Sequence, residues 1–365
     1  MATDITHTMT SRPAGLRRAL ALGVAGILLL AACGDADADT ETAIESTTST
    51  AAPATSLQTT EAGVADPASC ASATPGVSTF ALSSGGNDYD VRVYVPSSFD
   101  GATTLPLVLN FHGYSSNGSQ QARLSGYEDL AETEGFIVVH PTGIPARGGD
   151  LNSWELIHFG DDPAKNDVAF ANDLLDLLIA DYCVDESRVY ATGMSNGGLF
   201  TSRLVCDMSD RLAAAASVSG TTHPDDCDPD RAVPYISYHG TADTVAPFDG
   251  SGETVLTEEG VVEEGSNTEL FLQVIPEEFA QFAGTMGCDP TGTREQLSTD
   301  VIATSYSGCD DDVPLTFYEI VDGGHLWPNT PLAEQLGDFR GYITTEIDAT
   351  VNSWAFFEQH TLTTN

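Results

Sequence analysis

Short apolar runs and amphipathic stretches alternate along most of the chain. Alternating apolar and polar positions at 91–95 predict a strand at the edge of a sheet. Continuous apolar runs at 105–111 and 136–140 are typical of strands buried within a parallel sheet. At 167–182, leucines and a phenylalanine share one helical face and acidic residues share the other, which predicts an amphipathic helix.

The rest of the pattern continues this alternation. It predicts helices at 120–133, 197–208, 277–286 and 349–359, and strands at 189–192, 213–218, 233–238 and 315–321. Such an order predicts an α/β fold, a three-layer sandwich around a mostly parallel central sheet. Residues 250–275 carry several glutamates and little periodicity, so we expect a surface insertion there, with a flap over a site as the alternative.

The N-terminal segment, residues 1–32, has the pattern of an export signal. Arginines precede an apolar run at 19–30, which is too short to span a membrane. The run ends in Leu-Ala-Ala-Cys, which resembles the lipobox of bacterial lipoproteins, where a peptidase cuts before the cysteine and the thiol carries lipid. We therefore predict a signal peptide at 1–32 and lipidation of Cys33. A buried helix that ends in a cysteine is the alternative.

A low-complexity segment follows Cys33. Residues 34–69 contain no lysine, no arginine and no aromatic residue, so they cannot bury enough apolar surface to offset the entropy of ordering. We expect 33–75 to be a flexible, lipid-anchored linker. The remaining residues, 76–365, are then a single α/β domain.

The charge balance excludes some kinds of partner. The 365 residues include 13 Lys+Arg and 54 Asp+Glu, which gives a net charge of −41. A surface this acidic repels phosphate backbones, which argues against nucleic-acid binding. It also argues against charge-driven docking on anionic lipids, so we expect membrane association only through the lipid on Cys33.

Six cysteines remain when Cys33 is set aside. An even number in an exported chain predicts disulfides, although six cysteines allow many pairings. From the positions of the predicted elements, we expect the pairs Cys70–Cys183, Cys206–Cys227 and Cys288–Cys309. Zinc binding is the rival interpretation. It needs closely spaced ligands, and the sequence has no Cys-x-x-Cys, so we expect no metal.

The candidate chemistry lies at 193–197, Gly-Met-Ser-Asn-Gly, between a predicted strand and a predicted helix. In that context G-x-S-x-G is typical of a nucleophile elbow, in which a serine lies on a sharp strand-to-helix turn. Gly193 and Gly197 leave room for the turn, and the positive end of the following helix favours negative charge beside Ser195. We predict that Ser195 is the nucleophile. A serine that only caps the helix is the alternative.

A serine nucleophile needs a base and a group that orients the base. In this fold class an acid and then a histidine follow the serine along the chain, in loops after strands. His325, in a glycine-flanked loop after the last predicted strand, is our candidate base. The other histidines after Ser195 are His223, His239 and His360. Asp243 is our candidate acid, and Asp249 is its nearest competitor.

Acyl transfer also needs preorganised N–H donors for the oxyanion of the intermediate. We predict that the backbone amide of Asn196, at the start of the helix, is one donor. The amide of Tyr114, in the loop after the strand at 105–111, is the candidate for the other. We assign His112, which precedes that loop, a structural role. The candidate walls of the substrate pocket are Trp154 and Trp327.

Four motifs together resemble one family. They are Phe-His-Gly at 111–113, Ala-Thr-Gly-Met-Ser-Asn-Gly-Gly at 191–198, His-Gly-Thr-Ala-Asp at 239–243 and Gly-Gly-His-Leu-Trp-Pro at 323–328. In this order they resemble the polyhydroxybutyrate depolymerase and feruloyl esterase group of α/β-hydrolases, from about residue 79 to residue 360. One departure is that Tyr-Ser-Ser follows the first motif, where many lipases have a second glycine-rich oxyanion loop.

The resemblance implies an exported carboxylic ester hydrolase that uses no cofactor. Ser195, Asp243 and His325 would form its catalytic triad and act through an acyl-enzyme. The implied substrates are hydroxyalkanoate oligomers or feruloyl and acetyl esters of polysaccharides. The alternatives are a carbohydrate acetyl esterase, a serine peptidase of the same fold, and a solute-binding lipoprotein without catalytic activity.

Overall fold

Strands and helices alternate through the part of the chain that the structure describes. This computed structural model describes residues 70–145, 150–155, 165–251, 273–336 and 340–362. The strands are β1 (Gly76–Ser84), β2 (Asn87–Val95), β3 (Leu105–Phe111), β4 (Ile137–Pro141), β5 (Val184–Met194), β6 (Ala214–Val218), β7 (Tyr235–Gly240), β8 (Thr293–Gln296), β9 (Val301–Tyr306) and β10 (Leu315–Ile320). The helices are α1 (Gly118–Ser125), α2 (Tyr127–Glu134), α3 (Asp167–Asp181), α4 (Asn196–Asp207), α5 (Ile275–Thr285), α6 (Ala333–Leu336) and α7 (Ala349–Phe357).

The described strands form one sheet in the order β1-β2-β4-β3-β5-β6-β7-β10-β9-β8. The strands from β4 to β10 in that order run parallel. At the two margins, β1 and β2 on one side and β9 and β8 on the other pair antiparallel. Because the carboxyl ends of parallel strands meet at one edge, the loops after β5, β7 and β10 share that edge. These loops carry Ser195, Asp243 and His325.

Helices cover both faces of the sheet. On one face, Phe170 of α3 and Phe200 of α4 belong to a buried cluster with alternate residues of β3 and β5. On the other face, Tyr127 of α2 and Trp354 of α7 pack against the intervening residues of the same strands. Because successive side chains of a strand point to opposite faces of the sheet, each buried strand contributes to the core on both faces. This arrangement confirms the predicted α/β-hydrolase fold, a three-layer sandwich around a mostly parallel sheet.

The helix predicted at 120–133 is two helices in the structure, α1 and α2. Gly126 separates them in a left-handed conformation, with φ 71° and ψ 14°, and its N–H donates to the carbonyl oxygen of Ala122 at 3.0 Å. A Cβ at this position would lie 3.3 Å from the ring of Pro331. The glycine thus ends α1 and lets the loop at Pro331 pack closely.

The prediction also missed β1, β8 and β9. Every residue of β8 is exposed, and β1 alternates exposed with partly buried residues. Such strands are fixed by backbone pairing with a neighbour, which leaves a weak hydrophobic signal in the sequence.

The described residues contain disulfides between Cys70 and Cys183, Cys206 and Cys227, and Cys288 and Cys309. These are the pairs expected from the sequence. The first joins the start of the described chain to the residue before β5. The second joins the end of α4 to the loop before β7, and the third joins the segment after α5 to the segment before β10.

Several predicted segments lie outside the described residues. They are the signal peptide at 1–32, Cys33, the linker as far as residue 69, and residues 252–272 of the expected insertion. Within the described ranges, no helix has the length and apolarity that a membrane crossing requires.

Candidate active site

Ser195 joins the end of β5 to the start of α4 in a strained backbone conformation. Its φ of 54° and ψ of −122° lie in a region that residues with a side chain rarely occupy. Its N–H donates to the carbonyl oxygen of Val218 at 2.8 Å, and its own carbonyl accepts from the N–H of Leu199 at 2.9 Å. The turn is therefore held from both sides, as a nucleophile elbow requires.

No side chain would fit at Gly193 or Gly197. A Cβ at Gly193 would lie 2.9 Å from the carbonyl oxygen of Phe111 and closer still to that of Gly197. A Cβ at Gly197 would lie 2.6 Å from the carbonyl oxygen of His112 and closer still to that of Phe111. Both glycines are needed because α4 starts in direct contact with the end of β3.

His325 and Asp243 form a buried hydrogen-bonded pair at the same edge of the sheet. Nδ1 of His325 lies 2.7 Å from Oδ2 of Asp243, and the two residues are 3% and 5% exposed. The other oxygen of Asp243 accepts the N–H groups of Val245 and Ala246, each at 2.8 Å. A carboxylate held in this way fixes the proton of His325 on Nδ1, which leaves Nε2 unprotonated in the neutral ring.

The surroundings of Asp243 keep it ionised. Burial alone would raise the pKa of this carboxyl, but the charge of His325 and the hydrogen bonds that Asp243 accepts more than offset burial and lower the pKa. Asp249, the competitor from the sequence, is exposed and its carboxylate accepts the N–H of Ser251 at 3.0 Å. The hydrogen bond to His325 therefore favours Asp243 as the acid.

His239 lies beside Asp243 without replacing His325. Its Nε2 lies 2.8 Å from the carbonyl oxygen of Ala246 and 3.4 Å from Oδ2 of Asp243. Burial lowers its pKa, so its ring is neutral and Nε2–H donates to the carbonyl. His239 thus supports the loop that carries Asp243, as its position at the end of the predicted strand led us to expect.

The other histidines considered from the sequence, His112, His223 and His360, contact groups outside the candidate triad. Nε2 of His112 accepts the N–H of Gly143 at 2.9 Å, so Nδ1 carries the proton and donates to the carbonyl of Gly113 at 2.7 Å. Burial lowers the pKa of His112 to about 4. His223 contacts the hydroxyl of Thr285, and His360 packs on the ring of Phe356. Among the described residues, the hydrogen-bond partners of these three histidines do not include Ser195 or Asp243.

The two segments predicted to stabilise an oxyanion both border Ser195. Asn196 is the first residue of α4, where backbone N–H groups lack partners within the helix and the helix dipole is positive. Gly113 is so close to the nucleophile that a Cβ there would lie 3.3 Å from Cβ of Ser195. This contact places the segment that continues into Tyr114 next to the elbow.

The assignment of Trp154 to the substrate pocket is wrong. The residue is 2% exposed, and its ring stacks on Phe200 with centroids 5.2 Å apart. Its indole N–H donates to the carbonyl oxygen of His112 at 2.9 Å. Packing on every side leaves no surface of this ring for a substrate.

Trp327 is also buried. It is 0% exposed, and its indole N–H donates to the hydroxyl of Thr350 at 2.9 Å. It borders a shallow cleft whose lining residues do not include Ser195, Asp243 or His325. The assignment of Trp327 as a wall of the substrate pocket is therefore wrong as well.

Trp154 instead contacts both candidate oxyanion segments, an arrangement that sequence reasoning missed. The side-chain oxygen of Asn196 accepts the backbone N–H of Trp154 at 2.6 Å, and the side-chain amide of Asn196 donates to the carbonyl of Trp154 at 3.1 Å. Together with the indole bond to His112, these contacts join both candidate oxyanion segments to one residue.

Among the residues that the structure describes, no group of three His, Cys, Asp or Glu side chains could hold a metal ion.

Comparisons with known proteins show that the sequence is similar to esterases. Residues 83–268 match the Esterase family, described as "Putative esterase". Over 159 residues the chain is 32% identical to the bifunctional acetylxylan esterase/xylanase XynS20E of Neocallimastix patriciarum, which covers 44% of this chain and 22% of that protein. Over 240 residues it is 28% identical to feruloyl esterase B of Piromyces equi, which covers 64% of this chain and 42% of that protein. The chain thus spans less than half the length of either relative.

One solved structure extends the comparison. An acetyl xylan esterase from Aspergillus awamori aligns with a TM-score of 0.48 and 19% sequence identity, over 71% of this chain and 97% of that one.

The fold and the elbow define an α/β-hydrolase with a serine at the position of the nucleophile. The family match extends over just over half of the sequence, so the chain belongs to the Esterase family. This match and the feruloyl esterase relatives confirm the expected resemblance to the feruloyl esterase-like group of α/β-hydrolases.

Proposed function

We propose that the protein is a serine carboxylic-ester hydrolase in which Ser195 is the nucleophile, His325 the general base and Asp243 the orienting acid. The observation that carries this proposal is the buried 2.7 Å hydrogen bond between His325 and Asp243, at the sheet edge where the strained elbow presents Ser195. The membership of the Esterase family supports the reaction class.

The proposed reaction has two acyl-transfer steps. Nε2 of His325 takes the proton of the Ser195 hydroxyl as the oxygen attacks the ester carbonyl, and then gives that proton to the leaving alcohol. Water repeats the sequence on the acyl-enzyme, so that the acid is released and the Ser195 hydroxyl is restored. General acid–base catalysis of this kind contributes about 10²- to 10⁴-fold to the rate.

Asp243 acts on this reaction through the histidine. Its carboxylate holds the proton of His325 on Nδ1 and stabilises the imidazolium that forms when Nε2 takes up the serine proton. Because Asp243 is buried, little water screens this interaction.

The negative oxygen of each tetrahedral intermediate would be bound by backbone amides. We assign one to Asn196, at the positive end of α4, and the other to Tyr114. Removal of one such donor in serine hydrolases costs on the order of 10²- to 10³-fold in turnover.

We propose feruloyl or acetyl esters of polysaccharides as the substrate class. The support is the pair of relatives named as an acetylxylan esterase/xylanase and as feruloyl esterase B. Hydroxyalkanoate oligomers are the competing class from the motif resemblance. We also propose that the protein is exported, which the described disulfides support because they fit an oxidising compartment. The proposed lipid anchor on Cys33 rests on the Leu-Ala-Ala-Cys motif alone.

A substrate panel tests the proposed function. Wild-type enzyme would be assayed with methyl ferulate, acetylated xylan, a short p-nitrophenyl ester and a hydroxybutyrate trimer at one enzyme concentration. We expect hydrolysis of the aromatic or acetyl esters, and at least a ~10⁴-fold loss of turnover in Ser195→Ala. Ser305→Ala, an exposed serine on β9, is the matched control and should retain full activity. Hydrolysis only of the hydroxybutyrate trimer would overturn the substrate class, and an active Ser195→Ala would overturn the mechanism.

A further inference from the structure

We propose that Lys165 and Asp167 form a buried anchor that positions both oxyanion segments through Trp154. The proposal rests on the proposed function, because it assigns these residues a part in stabilising the intermediate on Ser195. Lys165 and Asp167 are therefore positioning residues that do not touch the substrate. Lys165 is also the only lysine in the sequence.

The ammonium of Lys165 is enclosed by protein oxygens. Its side chain is 3% exposed, and Nζ donates to the carbonyl of Ser153 at 2.6 Å and to the carbonyl of Ile144 at 3.0 Å. The hydroxyl of Ser153 lies 3.1 Å from Nζ, and Oδ2 of Asp167 lies 3.3 Å away. A buried ammonium persists only when it is paired and hydrogen-bonded in this way.

Asp167 completes the anchor from the start of α3. Its carboxylate is fully buried, with Oδ1 accepting the hydroxyl of Tyr89 at 2.8 Å and Oδ2 accepting the N–H of Glu155 at 2.6 Å. Burial raises the pKa of this carboxyl, and the charge of Lys165 offsets only part of that effect. Loss of Lys165 would raise this pKa further, so the two opposite charges support each other and the loss of one disturbs the site of the other.

The anchor holds the chain on both sides of Trp154. Lys165 binds Ser153, the residue before it, and Asp167 binds Glu155, the residue after it. The backbone of Trp154 is then fixed at the point where it pairs with the side chain of Asn196.

From Trp154 the contacts reach the two oxyanion segments by separate routes. Its backbone pairs with Asn196, whose amide is the first proposed donor. Its indole binds the carbonyl of His112, two residues before Tyr114, whose amide is the second. A shift of Trp154 would therefore move both donors relative to Ser195, and a displacement of 1 Å in a catalytic group can cost about 100-fold in rate.

A merely structural ion pair would change stability but not turnover. The test therefore measures kcat and KM for a short ester at 25 °C, with the concentration of folded enzyme taken from covalent active-site titration. We expect Lys165→Met to lower kcat about 10- to 100-fold while KM changes by no more than about twofold, because the donors act mainly in the transition state. Binding of a trifluoromethyl ketone, which adds to Ser195 and creates an oxyanion, should weaken by the same factor.

A matched control separates positioning from stability. Arg231 is a half-buried cation that donates to the carbonyls of Leu212 and Ala232, which lie just before β6 and β7, respectively, at the opposite edge of the sheet. Arg231→Met should lower the melting temperature with kcat unchanged. If Lys165→Met fails to fold, the combined change with Asp167→Asn removes both charges together and serves as the test.

A double-mutant cycle tests the route through Asn196. Asn196→Ala keeps the backbone amide but loses both side-chain bonds to Trp154, and we expect a similar loss of kcat. Combined with Lys165→Met, the losses should not add, because both changes release the same residue. A wild-type kcat in the lysine variants, or fully additive losses, would overturn the anchor. An active Ser195→Ala enzyme would show that Ser195 is not the nucleophile and would overturn the proposed function itself. Ser195→Ala is measured before the lysine variants, so the two failures are distinguished.

Discussion

Replacement of Asp243 by asparagine tests how the carboxylate orients His325. The two side chains have nearly the same shape, so the change removes the charge and exchanges one oxygen for an amide NH₂. The structure decides which of the two positions the NH₂ takes. One carboxylate oxygen accepts two backbone N–H groups, from Val245 and Ala246, and the other accepts Nδ1 of His325.

The two backbone donors force the orientation of the new side chain. An NH₂ group cannot face the N–H groups of Val245 and Ala246, so the asparagine oxygen keeps their hydrogen bonds and its NH₂ points to His325. That NH₂ donates, and Nδ1 must then accept and be unprotonated. The proton of the neutral imidazole moves to Nε2, where the ring can no longer take a proton from Ser195.

The expected loss follows from this exchange of tautomers. A carboxylate-to-amide change at the same position of a serine protease triad lowers kcat about 10⁴-fold, and we expect a loss of that order here. At about 1.36 kcal/mol for each tenfold change, the barrier would rise by about 5 kcal/mol.

The assay compares kcat for a short p-nitrophenyl ester between wild type and Asp243→Asn, and circular dichroism measures the folded fraction of each protein. Asp249→Asn is the matched control, since Asp249 is exposed in the same loop and should keep wild-type activity. An Asp243→Asn enzyme within about tenfold of wild type would refute the orientation argument, because the tautomer would then not limit the rate.

Three further predictions test other parts of the account. Gly197→Ala should lower the free energy of unfolding in urea by about 1–3 kcal/mol, because the new Cβ would meet the carbonyl of His112. An unchanged unfolding midpoint would contradict the close packing. Folding lowers the pKa of Asp243 from 3.8, so its contribution to stability is present above that pH and is lost as pH falls below it. Between about pH 5 and pH 3, the free energy of unfolding measured with denaturant should fall more steeply for wild type than for Asp243→Asn. Equal pH dependence in the two proteins would contradict this role of Asp243. Cys33→Ala should leave esterase activity intact and release the protein from the membrane fraction, whereas unchanged retention on fractionation would rule out the lipid anchor.

The central sheet and the candidate triad could be predicted because their signals are local. The strand β3 has the predicted bounds, since a fully buried strand needs a continuous apolar run. Ser195 stands in a motif whose glycines have a steric reason, and the two partners follow in loops after strands. Parallel topology then brings three distant loops to one edge without further information from the sequence.

The supports of the site could not be predicted, because they depend on contacts between distant residues. Trp154 and Asn196 are 42 residues apart, and no local pattern indicates that the side chain of Asn196 pairs with the backbone of Trp154. The same limit explains the wrong assignment of Trp154, since an aromatic residue near a site can equally line a pocket or fill the core. Lys165 carried no signal because burial of a lysine depends entirely on the oxygens that surround it.

Covalent labelling tests directly whether Ser195 is the nucleophile. A fluorophosphonate would be titrated against the full-length protein, with the adduct located by peptide mass spectrometry and the remaining esterase activity measured on the same samples. We expect one adduct, on the peptide that contains Ser195, and activity that falls in proportion to labelling. We expect no labelling at that site in His325→Ala. Full activity in completely labelled protein, or an adduct elsewhere with loss of activity, would contradict the assignment of Ser195 as the nucleophile.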